Sequence, residues 1–190
     1  MCGRYALFSK NKIKKKFNIF IKPNYNLCPS NTVLVLDKEA TPKFMKWHFK
    51  PLWGKSSFNI INARIETLSS KAVFKNSLRC IFIADGYFEW KRIKNIKKPF
   101  YHYYKSDLMF FAGIYNSNLE CCIVTKESNK EISHIHNRQP LLLKKLSLKN
   151  WLKSNYDSSD ISNDLIYYHE VDVKVNNPHN NDISNILEIK

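Results

Sequence analysis

Cys2 directly follows the first methionine in the opening residues MCGRYALF, and this position gives it distinctive chemistry. Removal of Met1 would leave Cys2 with a free α-amine beside its β-thiol. Their ordinary pKa values are about 7.7–8.0 and about 8.5, so both groups have a reactive fraction near neutral pH. A 1,2-aminothiol condenses with an aldehyde to form a thiazolidine ring. The alternative is a cysteine in an N-terminal arm without a chemical role, which the opening residues alone favour.

Two other titratable side chains lie in stretches that suit acid–base chemistry. In GYFEWK, the aromatic neighbours of Glu89 could raise its pKa toward that of a general acid. In SHIHNRQP, His134 and His136 would share one face of an extended segment, and one could act as an acid or base. The alternatives are a solvated carboxylate and an ordinary loop histidine. A metal site is not expected, because no further ligands stand at a recognisable spacing.

Two basic stretches suit phosphate and base contacts. In INARIETL, Asn62 precedes a predicted short helix, and an arginine such as Arg64 beside a helix N-terminus is typical of a phosphate site. An ordinary helix cap with a surface arginine fits equally well. In MKWHFKPLWGKSSF, Trp47, Phe49 and Trp53 alternate with lysines, as in proteins that stack bases and contact phosphates. They could equally be core aromatics, and the local pattern does not separate the two.

The composition predicts a folded protein with an affinity for polyanions. The 190 residues include 12 Phe, 10 Tyr and 4 Trp, so a disordered chain is excluded. The formal net charge of +15 favours nucleic acid as a partner, although a codon bias toward Lys and Asn would also raise it. The four glycines form neither dinucleotide nor phosphate-loop motifs, and G-x-S-x-G is absent, which disfavours a serine hydrolase of that type.

Cysteine usage and the strand pattern predict the compartment and the fold class. The five cysteines are odd in number, form no C-x-x-C and follow no signal peptide, so we expect a reducing, cytoplasmic environment. No apolar run is long enough to cross a membrane. Roughly eight strand-like runs and about four short helices, in no regular alternation, predict one α+β domain over residues 1–190 with an antiparallel or mixed sheet.

The order of the short motifs carries a family resemblance. MCGRY, YNLCP, INARIET, ADGYFEW, FAGIY, IVT and HNRQP follow one another from Cys2 to about Pro140, and VNNP near Asn176 agrees with a family tail. Together they resemble the SOS-response-associated peptidase family, whose members begin MCGR[YF]. The resemblance implies a β-barrel-like, mostly antiparallel α+β domain flanked by short helices, with a positively charged groove.

The resemblance also implies a function and a set of reacting residues. Family members sense abasic sites in single-stranded DNA and cross-link to them through the N-terminal cysteine, here Cys2 after autocatalytic or aminopeptidase-dependent removal of Met1. By position, Asn62 would orient the Cys2 amine, and His136 would assist opening of the sugar ring. Glu89 would carry protons during ring opening and imine formation, which is lyase-type chemistry on the abasic site. No cofactor or metal is implied.

The same carry-over assigns the DNA contacts. Arg4 and Arg64 would clamp phosphates beside the lesion, and the DNA path would be lined by Pro29, Trp53 and Thr125. Three positions depart from the family pattern or vary within it, and none touches the proposed chemistry: His48, Cys28 and Gln139.

Two other functions remain open at this point. A cysteine peptidase could use Cys2, His136 and Glu89 as nucleophile, base and orienting group. A non-catalytic binder of single-stranded DNA would leave Cys2 without a role. Cross-linking explains the charge, the aromatic–basic stretch and the terminal cysteine together, so it is the function expected, in a monomer that is cytoplasmic and associates with the nucleoid when it binds DNA.

Overall fold

The structure, a computed structural model, describes residues 2–51, 53, 59–162 and 164–189, and strands dominate it. Within these residues there are twelve strands, two α-helices and six short 3-10 helices. The strands are β1 (Tyr5–Leu7), β2 (Asn24–Leu27), β3 (Thr32–Leu36), β4 (Pro42–Trp47), β5 (Asn62–Arg64), β6 (Leu78–Ala84), β7 (Gly86–Ile93), β8 (Ile96–Tyr103), β9 (Met109–Tyr115), β10 (Glu120–Glu127), β11 (Arg138–Pro140) and β12 (Tyr167–Glu170). The α-helices are α1 (Lys10–Phe17) and α2 (Leu148–Leu152).

Five strands close into a barrel. The hydrogen-bonded order runs β10, β4, β3, β6 and β9, and β9 pairs again with β10. The pairing of β4 with β10 is parallel, and the other four pairings are antiparallel. Two short strands extend the barrel at β10, because β5 pairs with it in parallel and β11 in antiparallel orientation. The strand β10 is therefore shared by the barrel and the short strands that carry candidate site residues.

A second, fully antiparallel sheet packs against this barrel in the order β12, β8, β7, β1 and β2. Tyr5 and Tyr87 lie opposite each other in its centre, and both are completely buried. The Tyr5 ring contacts Trp47, Phe82 and Phe111 of the barrel strands β4, β6 and β9. Because side chains alternate along a strand, Glu89 on β7 faces the same way as Tyr87, toward the barrel.

The chain passes from the barrel to the second sheet at Asp85, between β6 and β7. The carboxylate of Asp85 accepts hydrogen bonds from the backbone N–H groups of Phe8 (2.6 Å) and Ser9 (2.8 Å) and from the Ser9 hydroxyl. A Cβ on Gly86 would lie 2.5 Å from the carbonyl oxygen of His102, so only glycine fits there. This junction fixes where β7, and hence Glu89, begins.

The first helix, α1, begins after Ser9 and ends at Phe17. The Ser9 hydroxyl hydrogen-bonds to Asp85 and does not cap the helix. Ile13 is buried within α1, whereas Phe20 lies beyond the helix and is 79% exposed. Asn18 adopts a left-handed conformation, which ends the helix before Phe20.

The predicted fold class is confirmed: α+β, with a barrel-like, mostly antiparallel sheet core and short helices around it. More strands form than the roughly eight expected, since β1, β5 and β11 have three residues each and are too short to show alternation. Among the described residues, none of the helices has the length and apolar character needed to cross a membrane.

Candidate functional site

Four separate segments bring the predicted reacting residues together. Cys2 precedes β1, Asn62 begins β5, Glu89 lies in the middle of β7, and His136 lies just before β11. Pairing of β1 with β7 brings the N-terminal segment to the Glu89 strand. Pairing of β5 and β11 with β10 brings the other two segments to the same end of the barrel. The order of these residues in the sequence therefore becomes one cluster through sheet pairing.

Asn62 holds the backbone of Cys2. Its Nδ2 donates a hydrogen bond of 2.8 Å to the carbonyl oxygen of Cys2. The strand itself is anchored by Trp47, whose indole Nε1 donates to the carbonyl of Ile61 at 3.0 Å. Within the described part of the chain, the buried Oδ1 atom of Asn62 has no hydrogen-bond partner. Because a buried amide oxygen without a partner is costly, this atom is ready to accept a hydrogen bond at the N-terminal residue.

The thiol of Cys2 is completely buried and stays protonated at neutral pH. Burial raises the pKa of the thiol well above its usual range, and the charge of Glu89 raises it further. The Sγ atom lies 3.8 Å from the carbonyl oxygen of Arg4, which is the contact of a weak donor. A thiolate attack in the resting protein is therefore disfavoured, and the thiol needs a base when it reacts.

Glu89 and His136 form an acid–base pair whose pKa values move in opposite directions. The carboxyl group of Glu89 is 3% exposed, and this burial raises its pKa to about 7. The Nδ1 atom of His136 lies 3.9 Å from Oε2 of Glu89, yet burial lowers the pKa of the imidazole. Desolvation of both groups thus outweighs their mutual attraction. At neutral pH the pair holds a partly protonated carboxyl group beside a neutral imidazole, which suits proton transfer in both directions.

The backbone of Arg138 holds the imidazole of His136 at Nδ1, which lies 3.0 Å from the Arg138 backbone nitrogen and 3.1 Å from its carbonyl oxygen. When the N–H donates to Nδ1, the neutral ring carries its proton on Nε2; when Nδ1 donates to the carbonyl, the proton is on Nδ1. The Arg138 guanidinium binds Glu66 through both terminal nitrogens, at 2.7 and 2.9 Å, and also donates to the carbonyl of Thr125 at 2.8 Å. Arg138 stands within the HNRQP motif, but the residue types of that motif do not indicate these contacts.

A cavity of about 730 Å³ opens from this pair toward the surface. Glu89 and His136 lie in its lining, and three basic residues of the β7–β8 hairpin share it: Lys91, Arg92 and Lys97. A cavity of this size with a carboxyl–imidazole pair in its lining and cations beside it suits an anionic substrate.

The residues predicted to contact DNA differ in how exposed their side chains are. Arg64 and Trp53 have exposed side chains, with 68% of Trp53 accessible, so both are positioned to meet a ligand. Pro29 is half-buried in the turn after β2, where the backbone N–H of Ser30 donates to the carbonyl of Trp47 at 2.8 Å. Trp47 itself is completely buried, so of the two interpretations of this aromatic residue the core one is correct.

Thr125 does not reach the surface, which corrects its predicted place on the DNA path. Its side chain has no exposed area, and its hydroxyl donates to the carbonyl of Ala63 at 3.4 Å. Because β5, β10 and β11 pair side by side here, Thr125 is covered by its neighbours. It contributes instead by anchoring the guanidinium of Arg138.

Arg4 has a structural contact that the sequence did not indicate. Its Nη1 donates to Oδ1 of Asn26 at 2.7 Å and to the carbonyl of Val175 at 2.6 Å, and its guanidinium lies 5.9 Å from the centre of the Trp90 ring. These contacts tie the N-terminal segment to the C-terminal part of the chain. A phosphate contact by Arg4 would therefore use its Nη2 group.

The positions that depart from the family pattern or vary within it make contacts within the fold. The Cys28 thiol is buried and donates to the carbonyl of Asn26 at 3.0 Å, while His48 lies 3.4 Å from a carboxylate oxygen of Glu120. Gln139 is buried and accepts a hydrogen bond from the backbone of Asn129 at 2.7 Å. In the part of the chain that the structure describes, His, Cys, Asp and Glu side chains form no group of three that could hold a metal ion.

Comparison with known proteins identifies the family of this chain. Residues 1–178 match the family described as SOS response associated peptidase (SRAP). The abasic site processing protein YoqW of Bacillus subtilis (strain 168) is 33% identical over 95% of this chain and 96% of its own length. The abasic site processing protein YedK of Escherichia coli (strain K12) is 31% identical over 85% of this chain and 84% of its own.

A solved structure from Bacteroides thetaiotaomicron has the same fold. It superposes with a TM-score of 0.73 and 19% identity, over 97% of this chain and 92% of that one. The family match spans nearly all of the chain and includes each of the four clustered residues. The chain belongs to the SOS response associated peptidase (SRAP) family.

Proposed function

We propose that this protein recognises abasic sites in single-stranded DNA and forms a thiazolidine cross-link to them through Cys2, after Met1 has been removed, thereby shielding the lesion. The observation that carries the proposal is the cluster itself. Asn62 holds the Cys2 carbonyl at 2.8 Å, and the charge of Glu89 acts on the Cys2 thiol. The names of YoqW and YedK, both abasic site processing proteins, support DNA with abasic sites as the partner.

The proposed reaction forms two bonds to one carbon. The opened sugar of an abasic site presents an aldehyde at C1′, and the Cys2 amine adds to it to give a carbinolamine. Loss of one water molecule yields an imine. The thiol then adds across the C=N bond: sulfur binds the carbon, and its proton passes to the nitrogen, which closes the ring. The net reaction consumes one aldehyde and releases one water, with no change of oxidation state.

Glu89 would carry the protons of these steps. Its carboxylate form accepts a proton from the Cys2 ammonium, which frees the amine for attack. The resulting carboxyl group returns that proton to the hydroxyl that leaves as water. A pKa of about 7 lets the same group do both near neutral pH. Because burial keeps the thiol protonated, we propose that Glu89 also accepts the thiol proton during ring closure.

His136 would assist the opening of the sugar. The closed sugar is a hemiacetal, so opening requires a proton on the ring oxygen and removal of the proton from the C1′ hydroxyl. A neutral imidazole with its proton on Nε2 can donate that proton to the ring oxygen. The carboxylate of Glu89, whose Oε2 lies 3.9 Å from Nδ1 of the imidazole, would accept the proton of the hydroxyl group and pass it to Nδ1, so the ring ends neutral and not as an imidazolate.

Binding of the strand would precede this chemistry. We propose that the exposed Arg64 contacts a phosphate beside the lesion and that the exposed Trp53 stacks on a base. A single strand is favoured, since its bases are free to stack on a side chain. An abasic nucleotide has no base to extract from the stack, so it can enter the cavity at a lower energetic cost than an intact nucleotide.

The proposal is tested with a single-stranded oligonucleotide that carries one abasic site. Purified protein with Met1 confirmed absent by intact mass should give a heat-stable band on a denaturing gel, with a mass equal to both partners minus one water. Digestion should place the adduct on the peptide that begins at Cys2. Absence of any adduct from protein confirmed to begin at Cys2 would overturn the covalent mechanism.

Two cysteine variants separate the steps. Cys2→Ser keeps the amine but lacks the thiol, so only an imine that requires borohydride trapping should form. Cys28→Ala removes another buried thiol and should cross-link like the wild type. A heat-stable adduct of Cys2→Ala without borohydride would contradict thiazolidine formation.

The peptidase alternative has less support from the same geometry. The Cys2 thiol contacts the carbonyl of Arg4, and burial raises its pKa, whereas a cysteine peptidase uses a thiolate paired with a base. The imidazole of His136 receives its hydrogen bond from the Arg138 backbone. Incubation of the same preparation with a fluorogenic peptide library provides the direct comparison.

A further inference from the structure

The β7–β8 hairpin next to the site carries like charges directly opposite each other. Its register places Lys91 opposite Lys98 and Arg92 opposite Lys97. Side chains at opposed positions of an antiparallel pair have Cβ atoms about 4.5–5.5 Å apart, so like charges there destabilise the pairing. The hairpin therefore contains two successive repulsive pairs, which a sequence selected only for stability would avoid.

Among the described residues, only the Lys91–Lys98 pair has a carboxylate partner. Lys98 Nζ lies 2.9 and 3.1 Å from the two carboxylate oxygens of Glu170 on β12. Among the residues that the structure describes, none forms an ion pair with Lys91, Arg92 or Lys97. Arg92 and Lys97 are also exposed. Their repulsion remains until an external anion binds.

These uncompensated charges line the same cavity as the reacting groups. Lys91, Arg92 and Lys97 share it with Glu89 and His136. Arg92 follows Glu89 by three residues on β7, so at about 3.4 Å per residue the two positions are about 10 Å apart. Phosphates of one strand in B-DNA are about 3.4 Å apart along the axis, so this distance corresponds to a few nucleotides. Lys91 lies on the same face of β7 as Glu89, whereas the odd offset puts Arg92 and its partner Lys97 on the other face, so both faces of the strand contribute charges to the cavity lining at the distance of flanking phosphates.

We propose that the β7–β8 hairpin is a phosphate-binding arm, in which Arg92 and Lys97, with Lys91 beside them, bind the backbone of the DNA strand on one side of the lesion. The inference rests on the proposed function in one respect, that the strand in the cavity bears the abasic site. A phosphate between Arg92 and Lys97 turns their repulsion into two attractions. The hairpin is then more stable in the complex than in the free protein.

The test measures noncovalent binding with its salt dependence. The probe is a fluorescent single-stranded oligonucleotide with a tetrahydrofuran residue in place of the abasic sugar, which has no aldehyde and does not cross-link. Each lost phosphate contact lowers the slope of log K against log salt by about 0.7 for single strands. The double variant Arg92→Gln/Lys97→Gln should therefore reduce the slope by about 1.4 and weaken binding about 25-fold at 0.1 M salt.

A matched control removes the same charge elsewhere. Lys10 and Lys15 are exposed on α1 and do not line the cavity, so Lys10→Gln/Lys15→Gln should keep the wild-type slope. Since the hairpin variant relieves a like-charge pair, it should melt at the same or a higher temperature than the wild type. Weaker binding by a protein that is equally stable therefore reports a lost contact and not a damaged fold.

The outcomes separate this inference from the proposed function. Equal salt slopes for Arg92→Gln/Lys97→Gln and the α1 control would overturn the phosphate-binding arm, even if wild-type protein cross-links aldehyde DNA fully. Conversely, if wild-type protein forms no covalent adduct but the hairpin variant still loses the predicted slope, the cross-linking mechanism fails and the arm stands. As a conservative variant, Arg92→Lys should retain most of the slope because it retains the charge.

Discussion

Replacement of Glu89 by glutamine should stabilise the protein at alkaline pH while it removes the proposed proton carrier. The Glu89 carboxyl group is 3% exposed, and burial raises its pKa from 4.5 to about 7. The folded-state pKa thus lies above the unfolded value. Glu89 therefore stabilises the fold most below pH 4.5, and this contribution is lost as the pH rises through 7. A glutamine has no such loss, because it stays neutral.

The size of the effect follows from the two pKa values. A change from 4.5 to about 7 corresponds to roughly 3 kcal/mol of unfolding free energy between the fully protonated and fully ionised limits. Between pH 5 and pH 8, the wild type should lose roughly 2–3 kcal/mol relative to Glu89→Gln. Comparison of the two pH values cancels differences in packing between the two side chains.

Urea unfolding followed by tryptophan fluorescence at pH 5, 6, 7 and 8 measures this difference. Glu66→Gln is a control of opposite sign, because the hydrogen bond from Arg138 lowers the pKa of Glu66. Its contribution is present at neutral pH and lost as the pH falls through the lowered pKa, so Glu66→Gln should be the less stable protein at pH 8. If the difference between Glu89→Gln and wild type does not change with pH, Glu89 is not buried as the structure has it.

Three further predictions, one of them with a control variant, test the site and the strand that positions it. Asn62→Ala should lower the cross-linking rate at saturating DNA by about 10²-fold, since the hydrogen bond to the Cys2 carbonyl is lost, and DNA affinity should be unchanged. Arg64→Ala should reduce the slope of log K against log salt for DNA binding by about 0.7, because one phosphate contact is lost. Thr125→Val, at a buried position, is the control and should leave this slope unchanged. Equal slopes for the two variants would show that Arg64 does not contact a phosphate. Gly86→Ala should destabilise the fold by about 1–3 kcal/mol in urea unfolding, because a Cβ would meet the His102 carbonyl at 2.5 Å, and a neutral result would mean that β7 shifts freely.

The ordered motifs were sufficient to predict which four residues lie close together but not the contacts that they make, and their reacting role stays a prediction. Cys2, Asn62, Glu89 and His136 were identified from ordered motifs, and the structure brings all four together. The pairing of β5 and β11 with β10 that assembles them spans long sequence separations, which local patterns do not encode. The hydrogen bond of the Arg138 backbone to His136 was equally inaccessible, since backbone contacts leave no residue-specific signal.

The DNA-facing residues show where sequence reasoning reaches its limit. Trp47 and Trp53 stand in one aromatic–basic stretch, yet Trp47 is completely buried and Trp53 is 68% exposed. Only the register of β4, which turns Trp47 into the barrel, separates them. Thr125 was assigned to the DNA path by position in a motif, and its burial under neighbouring strands depends on the same kind of register. The exposed fraction of a side chain depends on which strands pair over it, so two tryptophans of one sequence stretch can differ, one being buried and the other exposed.

Burial of the reacting cysteine has a consequence for the order of the chemical steps. A fully buried thiol with a raised pKa is a poor nucleophile. The amine of an N-terminal Cys2 would instead lie near the Asn62 amide oxygen, which has no hydrogen-bond partner among the described residues, and near the Glu89 carboxyl group. The pKa of Glu89, about 7, is close to that of an α-amine, so a proton can pass between the two groups. The amine should therefore react first, and the imine then holds the electrophilic carbon next to the sulfur, so even a protonated thiol meets its target at high effective concentration. The same burial excludes water from the imine and protects the thiol from competing oxidation. Rapid mixing with borohydride in the first moments of reaction should trap a reduced imine that disappears as the thiazolidine forms, and a thiazolidine that forms with no trappable precursor would reverse this order.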